Sequence, residues 1–222
     1  MLDILVVDSG SETALGTCLS SIDYSLPITV NVLTKKENPT LEDTPGSTFN
    51  SILQFCHEPI FTIIDSNDFY LANALSAFLE FVPYKVFGLI YASSLHRRTE
   101  SLNPYSELPL TQETVYDINP MRPPLFYNRK MVNYLQFFDN NTYYPEYDMS
   151  LKIWERFPVI HFSTPTISTG KRQYFNPEHL SDLETVIYNA KVRGTKQFYY
   201  AYPAMYPFGL MEPICVASDI TR

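Results

Sequence analysis

Two carboxylates follow a strongly apolar run in the first half of the chain. Residues 60–64 read as a buried strand, and Asp65, Ser66, Asn67 and Asp68 come directly after them. In open α/β sheets ligands bind beyond the carboxyl ends of strands, and a divalent cation relieves the repulsion between neighbouring carboxylates. Oxygen ligands favour Mg²⁺ or Mn²⁺, so the pattern predicts a metal site at Asp65, Asn67 and Asp68. The same residue types also cap helices, and a simple cap for a following helix stays open.

A second acidic pair stands before a predicted helix in the second half of the chain. Glu146 and Asp148 flank Tyr147, and apolar spacing predicts a helix over residues 148–156. One acid would cap this helix while the other projects into a cleft, which is the placement that a general base needs. The alternative is an ordinary acidic first turn, which the helix dipole favours without any catalysis.

Alternating strand-like and helix-like segments place these acids in an α/β sheet covered by helices. Residues 92–124 are polar, proline-containing and longer than most connections, which is typical of a functional loop. The tail over residues 197–213 is rich in Tyr and Pro. Strands are predicted at 4–7, 28–33, 60–64, 86–91, 125–127 and 159–162, and helices at 14–22, 47–56, 69–82, 148–156 and 177–193, the last capped by Asn176.

Composition limits the classes of protein to which this chain can belong. With 222 residues, 45% of them hydrophobic and 18% charged, the chain belongs to the globular class. Its net charge of −8 and its lack of a basic face predict no nucleic-acid partner. No apolar stretch reaches the length of a membrane span, and the first residues lack a signal-peptide pattern. Cys18, Cys56 and Cys215 are odd in number and far apart, so reduced thiols and a cytoplasmic location are expected.

Two segments together resemble family 2 glycosyltransferases. FTIIDSNDFYLANAL, residues 61–75, resembles the family's hydrophobic strand that ends in an Asp-x-Asp type motif, with Asp65 on the first acid, Asn67 where the family usually has Asp, and Asp68 on the acid that often follows. Residues 125–162 resemble the second signature, a strand, a basic-led helix, a Phe-Asp turn, an acidic motif and a helix. The resemblance implies that Glu146 is the catalytic base, with Asp148 beside it in the catalytic motif.

The amino-terminal segment resembles the same family in the same order. Residues 4–22 take the place of its first strand and helix, and Asn50 falls where the family commonly has an Asn. The resemblance implies that Asp8, Asn50 and Asp65 contact the nucleotide part of the donor, with Asp8 near the base. Another register would place residues 6–11 on the second-strand motif, but it would leave the sheet without its first strand.

The resemblance implies a GT-A (Rossmann-like) fold: a single domain over residues 1–222 with a mixed, mostly parallel sheet flanked by helices. Residues 1–92 would form the nucleotide-sugar half, and residues 93–222 the acceptor half with the Tyr-rich tail. The implied activity moves a sugar from a nucleoside-diphosphate sugar to a hydroxyl of a glycan, lipid-linked or protein acceptor, with inversion and with Mn²⁺ or Mg²⁺. Asn67, and Leu33 where the family has a base-contacting acid, leave an alternative: a degenerate, non-catalytic domain that binds a nucleotide sugar or a protein partner.

Other nucleotide and phosphate chemistries fit the sequence less well. Residues 8–11 follow a strand as the aspartyl-phosphate motif of haloacid dehalogenase-like phosphatases does, but Gly10 stands where that motif needs a second Asp. A dinucleotide site needs a glycine-rich turn after the first strand, and a P-loop needs a Gly-Lys-Ser/Thr ending. The sequence contains neither pattern.

Overall fold

The computed structural model describes residues 2–8, 28–34, 44–64, 68–82, 87–96, 102–103, 108–121, 123–169, 177–193, 199–200 and 215–216. No helix within these ranges has the length and apolar character needed to cross a membrane. The strands are β1 (Leu2–Asp8), β2 (Ile28–Thr34), β3 (Ile60–Thr62), β4 (Phe69–Tyr70), β5 (Leu89–His96), β6 (Leu125–Asn128), β7 (Val159–Thr169), β8 (Tyr199–Tyr200) and β9 (Cys215–Val216). The α-helices are α1 (Pro45–Leu53), α2 (Ala74–Phe81), α3 (Gln112–Asp117), α4 (Arg129–Tyr134), α5 (Pro145–Trp154) and α6 (Leu180–Arg193), with a 3₁₀ turn at Pro177–His179 before α6.

The strands form two sheets, and the larger one is mixed. The larger sheet has the order β3-β6-β5-β7-β8-β9, with β4 also paired to β7, while β1 and β2 pair in parallel with each other. Pairing is parallel between β5 and β7 and between β7 and β8, and antiparallel for β3–β6, β5–β6, β4–β7 and β8–β9. Because β3 and β5 both run antiparallel to β6, the strands β3, β5 and β7 point the same way. Their carboxyl ends therefore share one edge of the sheet.

Alternate residues of the central strands pack against opposite layers of helices, as the two-residue period of a strand requires. Leu89, Tyr91 and Tyr127 belong to the core that also contains buried residues of α1, α3, α4, α5 and α6. Ile90 and Phe126 belong to a second core built with α2. We call these the α5 face and the α2 face of the sheet. The predicted mixed α/β sheet flanked by helices is confirmed.

Gly88 shows how closely the sheet approaches α5. A Cβ atom added to Gly88 would lie 2.6 Å from Cγ2 of Ile153 and 2.7 Å from Cβ of Phe157. These separations are shorter than van der Waals contact, so only glycine fits between β5 and the end of α5. The position of α5 is thereby set against the start of β5.

Most predicted strands are confirmed, but on the way to the candidate site three predicted segments differ from the structure in their bounds or contents. The helix expected directly after Asp68 begins only at Ala74, because Phe69 and Tyr70 form β4 against β7. The strand expected at 86–91 is β5, which continues to His96, and the segment expected as a loop over 92–124 also contains α3. The helix expected over 148–156 begins three residues earlier. The predicted helix at 14–22 and the Asn176 cap lie outside the described residues.

Candidate active site

Glu146 and Asp148 lie together in the first turn of α5. The helix begins with Pro145 at its first position, where a missing N–H costs nothing, and Tyr144 occupies the N-cap without a capping side-chain hydrogen bond. The expectation that one of the two acids caps this helix is therefore wrong. Both carboxylates still stand where the partial positive charge of the helix start favours them.

Asp148 is committed to an ion pair. Its carboxylate lies 2.5 Å from the ammonium of Lys152, one helical turn later, and only 7% of the Asp148 side chain is exposed. Nearby, the guanidinium of Arg193 on α6 donates to both carboxylate oxygens of Glu155, at 2.8 to 3.1 Å. Burial lowers the pKa of Arg193, but its hydrogen bonds to Glu155 and the charges of Glu155 and Asp148 outweigh this effect, and the net pKa is raised. Asp148 is thus paired within α5, and its charge also acts on Arg193 of α6.

Glu146 has a different environment, formed with β6. Its carbonyl accepts a hydrogen bond from Oγ of Ser150 at 2.7 Å and lies 3.5 Å from the hydroxyl of Tyr127. Burial raises the pKa of Tyr127 well above its usual value, and the negative charge of Glu146 raises it further. Tyr127 is fully buried and therefore stays protonated beside Glu146. Glu146 itself is half-buried, with Oε1 shielded from solvent, so its carboxylate is partly accessible.

Asn50 on α1 contacts the turn that leads into this site. Its Nδ2 donates to the Phe138 carbonyl at 2.7 Å and to Oδ1 of Asn140 at 2.6 Å, while the Phe138 N–H donates to Oδ1 of Asn50 at 3.0 Å. The Phe138 ring in turn lies edge-on to Tyr127 at 5.7 Å. Asn50, Glu146 and Asp148 are therefore gathered in one region of the molecule. A nucleotide contact for Asn50 stays a prediction.

The predicted metal cluster is described at one residue. Asp68 lies immediately before β4, is 8% exposed and has Oδ2 shielded from solvent. The alternative that Ser66, Asn67 or Asp68 caps a helix is wrong, because α2 begins at Ala74 with Asn73 at the N-cap. Asp65 and Asn67 lie outside the described residues, and of Asp8 the structure describes only its place at the end of β1.

The chemistry of Asp68 fits a hard divalent cation. A carboxylate oxygen is the ligand type that Mg²⁺ and Mn²⁺ prefer, and the predicted partners Asp65 and Asn67 would supply further oxygens. Within the described ranges no three His, Cys, Asp or Glu side chains are grouped as metal ligands. The three-residue cluster after β3 stays a prediction.

Sequence reasoning missed several side chains of this site. Lys152 stands four residues after Asp148, a spacing that favours an ion pair on a helix and was a usable signal. Tyr127 lies 19 residues before Glu146. Asp182 lies about 40 residues after Thr142 and Tyr143, from which its carboxylate accepts hydrogen bonds. No local sequence pattern indicates contacts across such separations.

The fold is similar to that of several solved glycosyltransferases. S. aureus TarS 1–349 in complex with UDP-GlcNAc matches with a TM-score of 0.61 and 15% identity, over 86% of this chain and 56% of that one. The same TarS fragment in complex with UDP matches with a TM-score of 0.64, 14% identity and the same coverage. The mannosyltransferase PcManGT from Pyrobaculum calidifontis, in complex with GDP-Man and Mn²⁺, matches with a TM-score of 0.57 and 16% identity, over 88% of this chain and 56% of that one.

These likenesses show that the chain has a GT-A-like glycosyltransferase fold. The chain spans just over half the length of each of these three structures. No protein-family model and no curated protein matches the sequence.

Proposed function

We propose that the protein is a glycosyltransferase that moves a sugar from a nucleoside-diphosphate sugar to an acceptor hydroxyl. The observation that carries the proposal is the similarity over 86–88% of the chain to folds solved with UDP-GlcNAc and with GDP-Man and Mn²⁺. The acidic motif at the start of α5 supports the same activity. We further propose a single domain, with a donor half over residues 1–92 and an acceptor half over residues 93–222.

Glu146 is the proposed catalytic base. Its carboxylate accepts the proton of the acceptor hydroxyl while that oxygen attacks the anomeric carbon, and the bond from that carbon to the diphosphate breaks. Attack from the side opposite the leaving group inverts the anomeric carbon. The half-buried position of Glu146 supports this role, because its carboxylate is partly accessible to an acceptor hydroxyl.

The donor side of the reaction is assigned to Asp8, Asn50 and the cluster after β3. Asp65, Asn67 and Asp68 would hold Mn²⁺ or Mg²⁺, and when bound the cation neutralises charge on the diphosphate leaving group. Burial of the Asp68 carboxylate beside β4 supports its assignment, because a buried carboxylate gains most from a cationic partner. Asp8 and Asn50 would contact the nucleotide. The acceptor is a glycan, a lipid-linked molecule or a protein.

Ligand binding and turnover test the proposal together. A thermal-shift panel of UDP, GDP and other nucleoside diphosphates, with and without Mn²⁺, identifies the donor class, since a ligand at 100 times its Kd stabilises by about 2.7 kcal/mol. We expect Asp65→Ala with Asp68→Ala to abolish the Mn²⁺-dependent shift. The exposed Glu184→Ala on α6 is a matched control that removes one acid elsewhere. Binding with no sugar transfer to water or acceptor would favour the degenerate, non-catalytic alternative, and no binding of any nucleotide would contradict both.

A further inference from the structure

The segment Phe138–Tyr144, which we call the α5 lead-in, is held by side chains from two distant helices. It lies between α4 and α5 and ends at the residue before Pro145. On one side α1 contacts its first half, and on the other side α6 contacts its second half. The lead-in determines where the first turn of α5, with Glu146, lies.

The contact with α1 is close and polar. Besides the three hydrogen bonds of Asn50, the hydroxyl of Thr44 donates to the Asn140 carbonyl. A Cβ atom at Gly46 would lie 1.9 Å from the Asp139 carbonyl oxygen, so the backbones of α1 and the lead-in touch where Gly46 leaves room. The first half of the lead-in is fixed by these contacts.

The contact with α6 is made by one carboxylate. Oδ2 of Asp182 accepts hydrogen bonds from the Thr142 hydroxyl at 2.8 Å and from the Tyr143 N–H at 2.7 Å. The same Thr142 hydroxyl oxygen accepts from the N–H of Tyr144 at 3.0 Å, and the Tyr144 carbonyl accepts the N–H of Asp148 at 3.0 Å. A continuous series of hydrogen bonds therefore runs from Asp182 to the first turn of α5.

This series holds the chain just before the helix and does not cap the helix itself. The N-cap residue Tyr144 makes no side-chain hydrogen bond to the helix, and an uncapped helix end leaves backbone donors unsatisfied. Asp182 and Thr142 satisfy the donors of Tyr143 and Tyr144 just before the helix, and the Asp182 charge lies near its positive end. Thr142 is 3% exposed, so the bonds of its hydroxyl are partly shielded from water, while the bond from the Tyr143 N–H to Asp182 lies at the surface.

We propose that Asp182 is a positioning residue that holds the first turn of α5, and with it Glu146, in the geometry for proton transfer. The inference rests on the proposed function, because it assigns Glu146 as the base. A displacement of about 1 Å in a reacting group costs as much as 100-fold in rate. Loss of the hydrogen-bond acceptor at Asp182 should therefore lower kcat and leave binding of the sugar donor unchanged.

Three variants test the proposal. Asp182→Ala removes the acceptor, Asp182→Asn keeps an oxygen acceptor of the same shape, and Glu184→Ala removes an exposed acid from the same helix. For Asp182→Ala we expect faster hydrogen exchange over residues 143–149 and a fall in kcat of about 10- to 100-fold, with the donor KM unchanged. Asp182→Asn recovers most of both values, and Glu184→Ala matches the parent.

If Asp182→Ala folds, two outcomes overturn the proposal. One is unchanged exchange over residues 143–149 in Asp182→Ala, and the other is faster exchange there with kcat equal to that of Glu184→Ala. If Asp182→Ala does not fold, failure of Asp182→Asn to keep exchange and kcat near the parent values overturns it as well. Absence of turnover in the parent contradicts the proposed function instead, and the exchange measurement, which needs no donor, still decides whether Asp182 holds the start of α5.

Discussion

The two acidic candidate sites stand before helices that begin in different ways. α5 begins directly after the lead-in, with Pro145 first and with hydrogen bonds from α1 and α6 around it. α2 begins six residues after Asp68, behind the short strand β4, and its N-cap Asn73 is in the left-handed conformation, with φ of 63° and no capping side-chain hydrogen bond. The start of α5 is supported by side-chain hydrogen bonds, and the start of α2 is supported by the backbone.

The two helix starts therefore position their candidate acids in different ways. Glu146 is held through side-chain hydrogen bonds that converge on the lead-in from 39 to 96 residues away. Asp68 is placed by backbone pairing, since β4 pairs with β7 and the Leu71 N–H donates to the Thr166 carbonyl at 2.9 Å. Side-chain substitutions should therefore disturb the base more readily than the proposed metal cluster.

The largest effect is expected at Glu146 itself. Glu146→Gln keeps the size and hydrogen bonding of the side chain but cannot accept a proton, so turnover should fall by roughly 10²- to 10⁴-fold. Nucleotide affinity should not change, because the donor contacts are assigned elsewhere. Turnover with the donor found by thermal shift, measured together with nucleotide affinity, checks both expectations.

Asp148→Asn is the control for Glu146→Gln in the same helical turn. It replaces a carboxylate that pairs with Lys152 and is only 7% exposed with a neutral amide, which should lower the free energy of unfolding by about 1–3 kcal/mol and leave turnover largely intact. Full activity in Glu146→Gln beside a folded but inactive Asp148→Asn would transfer the base role to Asp148. Full activity in both variants would remove this motif from the mechanism.

The elements of the fold that could be read from the sequence are those with a regular apolar period. β3, β6 and the start of β7 are short apolar runs, although β3 is only half-buried, and α6 combines helical spacing with a proline shortly before its start. The second half of β5 was missed because Ser93 and Ser94 are polar, yet both are fully buried between neighbouring strands. α3 carried a usable signal, since Thr111 and Thr114 form a capping box.

The candidate site could be predicted only where its members are close in sequence. The spacing of Glu146 and Asp148 was enough to place both acids near the start of a helix. The bonds of Asn50 to Phe138 join residues 88 positions apart, and they depend on how α1 packs against the lead-in. The helix expected after Asp68 was displaced because the aromatic pair of β4 gains more from pairing with β7 than from a helical turn.

The next largest effect is expected at Gly46, where α1 touches the lead-in. Gly46→Ala places a methyl group against the Asp139 backbone, which has no flexible end to move aside. We expect a loss of about 1–3 kcal/mol in the free energy of unfolding, with faster hydrogen exchange over residues 138–144 and lower kcat. Urea unfolding, exchange and turnover measure these changes.

Gly88→Ala is the matched comparison for Gly46→Ala. It overpacks the contact between β5 and the end of α5, at Ile153 and Phe157, but lies away from the lead-in. It should lose similar stability without accelerating exchange over residues 138–144. Equal acceleration in both variants would mean that the lead-in responds to general strain rather than to its contact with α1.

The smallest effect is expected at Asn73, the start of α2. A left-handed backbone is costly for most residues, tolerated by Asn and free for Gly, so Asn73→Ala should lower the free energy of unfolding by about 1 kcal/mol while Asn73→Gly changes it little. Turnover of the folded variants should equal that of the parent, because α2 packs on the α2 face and Glu146 stands on the α5 face. Urea unfolding of both variants measures the change in the free energy of unfolding. Their kcat is then measured at a temperature where each variant is folded. An Asn73→Ala protein that lost kcat as Gly46→Ala does would show that the two helix starts are coupled, and the contrast between side-chain and backbone positioning would not hold.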